Sequence, residues 1–424
     1  MQVFNWDKTT QKKFSRDYSH VFNKDVFKKV NRILAEVKQR GDLAIRRYTR
    51  EFDGIELPLK KIRVSQGDIN KAFEKIKVQF VPLLRQIMEN VEDYYKKELK
   101  QSFEITGKDG VHLAKRYSPI ERIGIYVPGG TAPLVSTVYM CAIPAKVAGV
   151  KEIVLCTPPQ RETGEIDPNI LVVANLLGIN EIYRVGGAQA IGAMAFGTRT
   201  IKKVDKIVGP GNQYVVEAKR QVYGFVDIDM VAGPSEVAII ADSSANPDYV
   251  TCDLLAQAEH HGGTDFLITP SKKLVESLRK RVDTGVIIQV KNLAEACDVA
   301  NELAPEHLEI LTEDPEKIVK SIKNAGAIFV GPYSPAVVGD YIAGPSHVLP
   351  TGGTARYFSP LSASSFVKST QIISYTKEAL QNSREHIRQL TEMEGLVLHR
   401  ISMEVRFVQK TQEAEVTQPE EKES

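Results

Sequence analysis

The stretch DLLAQAEHHGGTD (253–265) places an acid, an amide and an imidazole on one face of a predicted helix. That helix is predicted over residues 247–260, between a capping asparagine and a glycine pair. Asp253, Gln257 and His260 are spaced i, i+4 and i+7, so their side chains share one face. A polar row on a helix is usually a solvated surface, but imidazole and carboxylate groups also hold metal ions. Glutamine is an unusual ligand, and spacing alone would not nominate it.

Other groups with catalytic potential lie farther along the chain. Glu306 and His307, in APEHLEI, place a carboxylate and an imidazole side by side in a predicted loop, a suitable general-base pair near neutral pH. His260, Asp340 and His399 are candidate zinc ligands, because zinc accepts imidazole nitrogen and carboxylate oxygen. Taken singly, each of these residues is more often structural.

Four glycine-containing turns punctuate the sequence: YVPGGTAP (126–133), VGGAQAIG (185–192), VGPGNQ (208–213) and AGPSE (232–236). Backbone N–H groups at such turns can cradle phosphate, so four of them favour a nucleotide ligand. Tight turns in an α/β sheet explain any one of them equally well. The run GPGNQY supplies only the first two glycines of a dinucleotide fingerprint, and no fingerprint acid follows it.

Apolar strand-like runs alternate with helical stretches from residue 122 onward: RIGIYV, EIVLC, EIYRV, KVDKIV, EVAIIAD, DFLITP, GVIIQV and AGAIFVG. This alternation predicts βαβ units and two α/β lobes with parallel sheets. The expected divisions are an N-terminal arm (1–22), a first lobe with its leading helices (23–120 and 236–375), an inserted second lobe (121–235), a helical C-terminal region (376–408) and a tail expected to be disordered (409–424).

Composition narrows the class of protein. The 424 residues carry a formal net charge of +2, which gives no reason to expect nucleic acid or an anionic membrane as a partner. No apolar stretch is long enough for a membrane span, and the N-terminus shows no signal peptide. The four cysteines are far apart, which argues against a zinc finger or a disulfide scaffold and favours the reducing cytoplasm.

Taken together, eight stretches closely resemble histidinol dehydrogenases, in order and spacing, from about residue 20 to 407: YVPGGTAPLVSTVYMCAIPAKVAG, VGGAQAIGAMAFGT, VDKIVGPGNQYVVEAKRQV, DIDMVAGPSEVAIIAD, DLLAQAEH, APEHLEI, GDYIAGPSHVLPTGGTAR and GLVLHRISMEVR. The resemblance implies a zinc-dependent oxidation of L-histidinol, through bound L-histidinaldehyde, to L-histidine with two NAD⁺, the last step of histidine biosynthesis. It also implies two Rossmann-like lobes, residues 121–235 being the NAD side, one zinc ion per subunit, and an intertwined homodimer held by residues 376–408, with the active site shared between subunits.

The resemblance also implies roles for individual residues. The matching zinc ligands are Gln257, His260, Asp340 and His399. The matching acid–base pair is Glu306 and His307, and the matching NAD contacts are Tyr126, Gln189 and Asn212. The matching substrate contacts are Ser235, Gln257, His260, His307, Asp340, Tyr341, Glu394 and His399, with His347 as a further candidate.

Two features depart from the family pattern: HHGGTDF follows the first ligand histidine, and Ser346 stands where asparagine is common. Two other readings stay open. The chain could be a related zinc- and NAD-dependent dehydrogenase for another small polar alcohol, although Ser235, Glu394 and the Glu306–His307 pair argue against this. It could also be a non-catalytic metal- or nucleotide-binding protein of the same fold, which the full set of matching residues disfavours.

Overall fold

The computed structural model describes residues 1–14, 23–129, 133–259 and 262–408. The chain divides into two compact units. The large unit comprises residues 1–100 and 119–368, and the small unit comprises residues 101–118 and 369–424.

The elements of the first part of the chain are β1 (Gln2–Asn5), α1 (Lys8–Phe14), α2 (Lys24–Arg40), α3 (Asp42–Tyr48), α4 (Gln66–Lys75), α5 (Phe80–Lys96), β2 (Phe103–Thr106) and β3 (His112–Pro119). They are followed by β4 (Arg122–Tyr126), α6 (Val135–Val147), β5 (Glu152–Thr157), α7 (Pro168–Leu176), β6 (Glu181–Arg184), α8 (Gly187–Phe196), β7 (Lys206–Val208), α9 (Gln213–Val222) and β8 (Asp227–Ile228).

The remaining elements are β9 (Glu236–Ala241), α10 (Pro247–Ala258), β10 (Thr264–Thr269), α11 (Lys272–Arg279), β11 (Val286–Gln289), α12 (Leu293–Leu303), β12 (His307–Leu311), α13 (Pro315–Val319), β13 (Ala327–Val330), α14 (Ala336–Tyr341), β14 (Val367–Ser374), α15 (Lys377–Met393) and α16 (Val397–Glu404). All eight apolar runs predicted as strands are strands.

Two parallel sheets organise the large unit. Sheet A has the strand order β1-β11-β10-β9-β12-β13, and sheet B has the order β6-β5-β4-β7-β8. Every pairing within these two sheets is parallel. In both sheets the chain leaves a central strand to one side and later returns to the other, which creates a switch point at β4/β7 in sheet B and at β9/β12 in sheet A. The α/β fold with two Rossmann-like parallel-sheet lobes is therefore confirmed.

The leading helices cover sheet B. Apolar residues of α2 and α3 share a core with α8, α9 and one face of the sheet. Those of α4 and α5 share a second core with α6, α7 and the opposite face. The sequence analysis grouped residues 23–120 with the lobe formed by 236–375. Their apolar stripes instead pack on the 121–235 sheet, because both faces of that parallel sheet are apolar and need helical cover.

The small unit contains the sheet β14-β3-β2, in which β2 and β3 pair antiparallel, and the helices α15 and α16. Thr376 caps α15 and donates a hydrogen bond to the carbonyl oxygen of Asp109 (2.6 Å). Arg384 of α15 donates to the carboxylate of Glu404 of α16 (2.9 Å), which fixes the two helices together. Within the described ranges, no helix is long and apolar enough to cross a membrane.

Candidate active site

A cleft of about 1480 Å³ opens in the large unit between elements of both sheets. Sheet B contributes the turns that follow its strands, including Tyr126, Gly187 and Asn212. The segment that leads from β8 into β9 contributes Ser235, and the residue before β12 contributes Glu306. The candidate cofactor residues and Glu306 therefore line one continuous space.

The sheet B side of the cleft lies at the carboxyl ends of its strands. Tyr126 is the last residue of β4, and its hydroxyl accepts a hydrogen bond from the backbone N–H of Gly187 (3.0 Å). Gln189, in the first turn of α8, is buried, and its Oε1 has no hydrogen-bond partner among the described residues. Asn212 caps α9, its Oδ1 accepting from the N–H groups of the second and third helical residues at 3.0 and 3.2 Å.

A buried ion pair holds the glycine turn after β7. Lys219 of α9 contacts Asp229, and their side chains are only 2% and 1% exposed. Asp229 accepts a hydrogen bond from the backbone N–H of Gly209 (2.8 Å), and Lys219 donates one to the carbonyl oxygen of Gly209 (2.9 Å). Gly209 has a φ of +114°, and a Cβ there would lie 2.1 Å from the carbonyl oxygen of Tyr126, so only glycine fits. The sequence analysis did not identify this pair, whose signal was a lysine on the inward face of α9.

The candidate acid–base pair, Glu306 and His307, lies at the amino end of sheet A. Glu306 lies in the predicted loop, but His307 is the first residue of β12, so the loop prediction is wrong for His307. The run HLEIL was not identified as a strand, although its alternation of polar and apolar residues is a strand pattern. The Nδ1 of His307 lies 3.0 Å from the carbonyl oxygen of Glu236, so Nδ1 carries a proton. Its Nε2 lies 3.6 Å from Oδ1 of Asp340.

Two opposing effects set the pKa of His307. Burial lowers the pKa, but the carboxylates of Glu306 and Asp340 favour the imidazolium more strongly and raise the pKa to about 9. The imidazole is therefore protonated at neutral pH in this arrangement. A cation that engaged Asp340 would remove part of this stabilisation and bring the pKa of His307 down toward neutrality.

Glu306 is a buried carboxyl group with specific partners. One of its oxygens accepts the backbone N–H of Glu236 (2.9 Å), and Ser235 also hydrogen-bonds to it. Burial raises the pKa of Glu306 to about 7, although the neighbouring His307 opposes the shift. A carboxyl with a pKa near 7 can take up and release a proton at neutral pH.

The four candidate zinc ligands are distributed over both units. Gln257 lies on α10 and is buried, and its Nε2 has no hydrogen-bond partner within the described part of the chain. Asp340 lies near the end of α14. His260 lies outside the described residues, and His399 is an exposed residue of α16 in the small unit. The described residues contain no cluster of three or more His, Cys, Asp or Glu side chains able to hold a metal.

The other candidate substrate residues occupy different environments. His347 lies beside Asp340, with its Nδ1 3.1 Å from that residue's carbonyl oxygen and its Nε2 3.5 Å from the hydroxyl of Thr137. Tyr341, the last residue of α14, is exposed. Glu394 is an exposed residue of the small unit, at the end of α15.

Comparisons with known proteins identify the family of this chain. The family model described as histidinol dehydrogenase matches residues 17–407. A histidinol dehydrogenase of Clostridium acetobutylicum is 46% identical over 404 residues, which cover 91% of this chain and 93% of the relative. One from Listeria monocytogenes is 47% identical over 397 residues, covering 89% and 92%.

A solved structure gives the same result. The crystal structure of histidinol dehydrogenase from Elizabethkingia anophelis superposes with a TM-score of 0.89 at 38% sequence identity, covering 96% of this chain and 98% of that one. The chain belongs to the histidinol dehydrogenase family of oxidoreductases.

Proposed function

We propose that this protein oxidises L-histidinol to L-histidine in two successive steps, through bound L-histidinaldehyde, with two NAD⁺ and one zinc ion per subunit. The observation that carries the proposal is the buried Glu306–His307 pair, of which Glu306 lines the cleft at the carboxyl ends of sheet B. Two hydride transfers need two proton acceptors of different kinds, one for an alcohol and one for water. An imidazole and a carboxyl with a pKa near 7 meet that need.

The sheet B edge fits NAD⁺. It combines a switch point, glycine turns and the amino end of α9, all of which favour a dinucleotide. The unpartnered Oε1 of Gln189 is a buried acceptor that a ligand N–H or O–H could satisfy. Tyr126, Gln189 and Asn212 would hold the dinucleotide, which supplies the hydride acceptor.

The chemistry of the donor set fits zinc. Two imidazoles, a carboxylate and an amide oxygen are nitrogen and oxygen ligands that zinc accepts. The buried amide of Gln257 would offer its Oε1 to the metal, while its Nε2, which has no hydrogen-bond partner among the described residues, is a donor and not a ligand atom. We propose Gln257, His260, Asp340 and His399 as the ligands. The zinc ion would supply orientation of the substrate's imidazole and amino groups.

In the first oxidation, His307 would take the hydroxyl proton of the alcohol at Nε2, and bound NAD⁺ would supply the acceptor for the hydride released from the carbon that bears that hydroxyl. The carbonyl oxygen of Glu236 supports this role, because it keeps the proton on Nδ1 and leaves Nε2 facing Asp340. The products of this step are the aldehyde, NADH and protonated His307.

In the second oxidation, Glu306 removes a proton from the water that adds to the aldehyde. The resulting hydrate anion would give up a second hydride, for which a second NAD⁺ would be the acceptor, to form the carboxylic acid, and Glu306 would release the proton taken from water to solvent. Ser235 and the N–H of Glu236 position the carboxylate of Glu306 for this task. Burial of the pair restricts water to the place where it reacts and protects the aldehyde between the two steps.

We also propose a cytoplasmic homodimer whose small units complete each other's sites. Large apolar side chains on α15, α16 and the segment joining them are exposed, including Met393 (84%) and Leu398 (76%). A concentration of exposed apolar side chains in one segment is typical of a subunit interface. Because Glu394 and His399 belong to the same segment, a partner seated there would receive a substrate contact and a zinc ligand.

The number of NADH molecules formed per alcohol consumed tests the proposal. With limiting L-histidinol and excess NAD⁺, we expect about two NADH per histidinol and one L-histidine. A chelator should abolish the reaction because it removes the zinc, and added zinc should restore the reaction. One NADH per alcohol would indicate a simple dehydrogenase, and none would indicate a binding protein; either result would refute the proposal.

A further inference from the structure

Asp253 is the member of the predicted polar helix face that neither the zinc set nor the acid–base pair uses. It lies on α10, one turn before Gln257. Facing it is Glu309, two residues after His307 on β12 and only 1% exposed. Because side chains alternate along a strand, His307 and Glu309 point to the same side of sheet A. Leu311 continues that side and packs in one core with Leu254 of α10.

The carboxyl group of Glu309 connects three elements. Its Oε1 accepts the backbone N–H of Ala336, the first residue of α14 (2.7 Å). Its Oε2 is buried and receives no hydrogen bond from any N–H or hydroxyl group of the described residues. The carboxyl group of Asp253, on α10, lies within hydrogen-bonding reach of the Glu309 carboxyl group. Strand β12 and helices α10 and α14 therefore meet at one carboxyl pair.

A hydrogen bond between two carboxyl groups requires that one of them carries a proton. Burial and the neighbouring Asp253 raise the pKa of Glu309 to about 8, and burial also raises the pKa of Asp253. A shared proton satisfies the otherwise unpartnered oxygen of Glu309 and removes the repulsion between two carboxylates.

We propose that Asp253 and Glu309 form a proton-sharing carboxyl clamp that positions Gln257 and Asp340 around His307. Both clamp residues are positioning residues. The clamp holds α10 one turn before Gln257, holds α14 at the end opposite Asp340, and is built on the strand that carries His307. Partners of this kind orient metal ligands, and their loss typically lowers metal affinity or activity by about 10- to 100-fold.

Paired substitutions at Glu309 separate the clamp from simple packing. In Glu309→Gln the amide can still accept from Ala336 and donate to Asp253, so zinc affinity should stay close to that of the unaltered protein. Glu309→Met keeps the length of the side chain but neither bond, and zinc affinity should fall about 10- to 100-fold. Zinc content after equilibration against a chelator series, measured by elemental analysis, gives both values without reference to activity.

Asp253 provides the same contrast at a half-buried position where misfolding is less of a concern. Asp253→Asn can donate to the carboxylate of Glu309 and should retain zinc, whereas Asp253→Leu should lose it. Asp248→Leu, on an exposed turn of the same helix, is the matched control and should bind zinc normally.

The inference rests on the proposed zinc site, and the outcomes distinguish the two. Unaltered protein that takes up no zinc would overturn both. Unaltered protein that binds zinc, with Met and Leu variants that bind it equally well, would overturn the clamp alone. Equal loss in the Gln and Met variants would also overturn it, because a role in hydrogen bonding requires rescue by the conservative variant.

Discussion

The two parallel sheets of the large unit serve the cleft from opposite edges. Sheet B presents the carboxyl ends of its strands, where glycine turns and a helix N-terminus can receive a dinucleotide. Sheet A presents the amino end of β12 and the segment before β9, where the acid–base pair lies. The connection explains the difference: residues 229–235 leave β8 at its carboxyl end and enter β9 at its amino end. A short linker of this kind brings the two unlike edges to one space.

The two edges are also held in different ways. The turn on sheet B depends on a buried charge pair, Lys219 and Asp229, which binds both backbone groups of Gly209. The pair on sheet A depends on the backbone of Glu236, whose N–H holds Glu306 and whose carbonyl holds His307. We call the edge of sheet B proposed to bind the dinucleotide the cofactor edge, and the edge of sheet A that carries Glu306 and His307 the chemical edge. Side-chain substitutions should therefore disturb these two edges separately.

The largest structural effect is expected for Lys219→Met. Removing one partner leaves the carboxylate of Asp229 buried without its counter-charge, and the free energy of unfolding should fall by about 3–5 kcal/mol. NADH affinity should fall with it, because the turn after β7 loses its support. Denaturant unfolding and NADH titration measure the two quantities.

Lys206→Met is the matched control for that variant. Lys206 is also buried in sheet B, but its partner Asp227 is half-exposed (48%), so water can solvate the carboxylate left behind. We expect a clearly smaller loss of stability and unchanged NADH affinity. Identical behaviour of the two variants would show that the buried pair has no special relation to the cofactor edge.

A smaller effect is expected for Asn212→Ala, which removes the N-cap of α9. The loss should be about 1 kcal/mol of stability, accompanied by weaker NADH binding. Asn246 is the equivalent cap of α10, and its Oδ1 accepts a hydrogen bond from the backbone N–H of Asp248 (2.8 Å). Asn246→Ala should therefore lower the stability by a similar amount. Weakened NADH binding in both variants would contradict the assignment of the dinucleotide to sheet B.

The sequence predicted local features of the fold well. The N-cap of α10 at Asn246 and its start at Pro247 follow from the preferences of those residue types, and the helix runs to Ala258. The eight apolar strands follow from their composition. Which sheet the helices α2 to α5 cover could not be predicted, because an apolar stripe fits any apolar face.

The candidate site was harder to predict, because it depends on contacts between residues that are distant in sequence. His307 was identified by its neighbour Glu306, but its place at the start of a buried strand depends on pairing with β9 and β13. The function of Asp253 could not be inferred, because its partner Glu309 is distant in sequence and meets it only in the folded sheet. The support of the GPGN turn by Asp229 is non-local in the same way.

The effect of His307→Asn on the two half-reactions tests most directly whether proton transfer belongs to the sheet A edge and NAD⁺ binding to the sheet B edge. Oxidation of histidinol should slow by about 10²- to 10⁴-fold, oxidation of added histidinaldehyde should slow far less, and NADH affinity should not change. Glu306→Gln should show the reverse pattern, with the aldehyde step slowed most. Equal loss of both steps in both variants, or loss of NADH binding in either, would contradict the separation of a chemical edge on sheet A from a cofactor edge on sheet B.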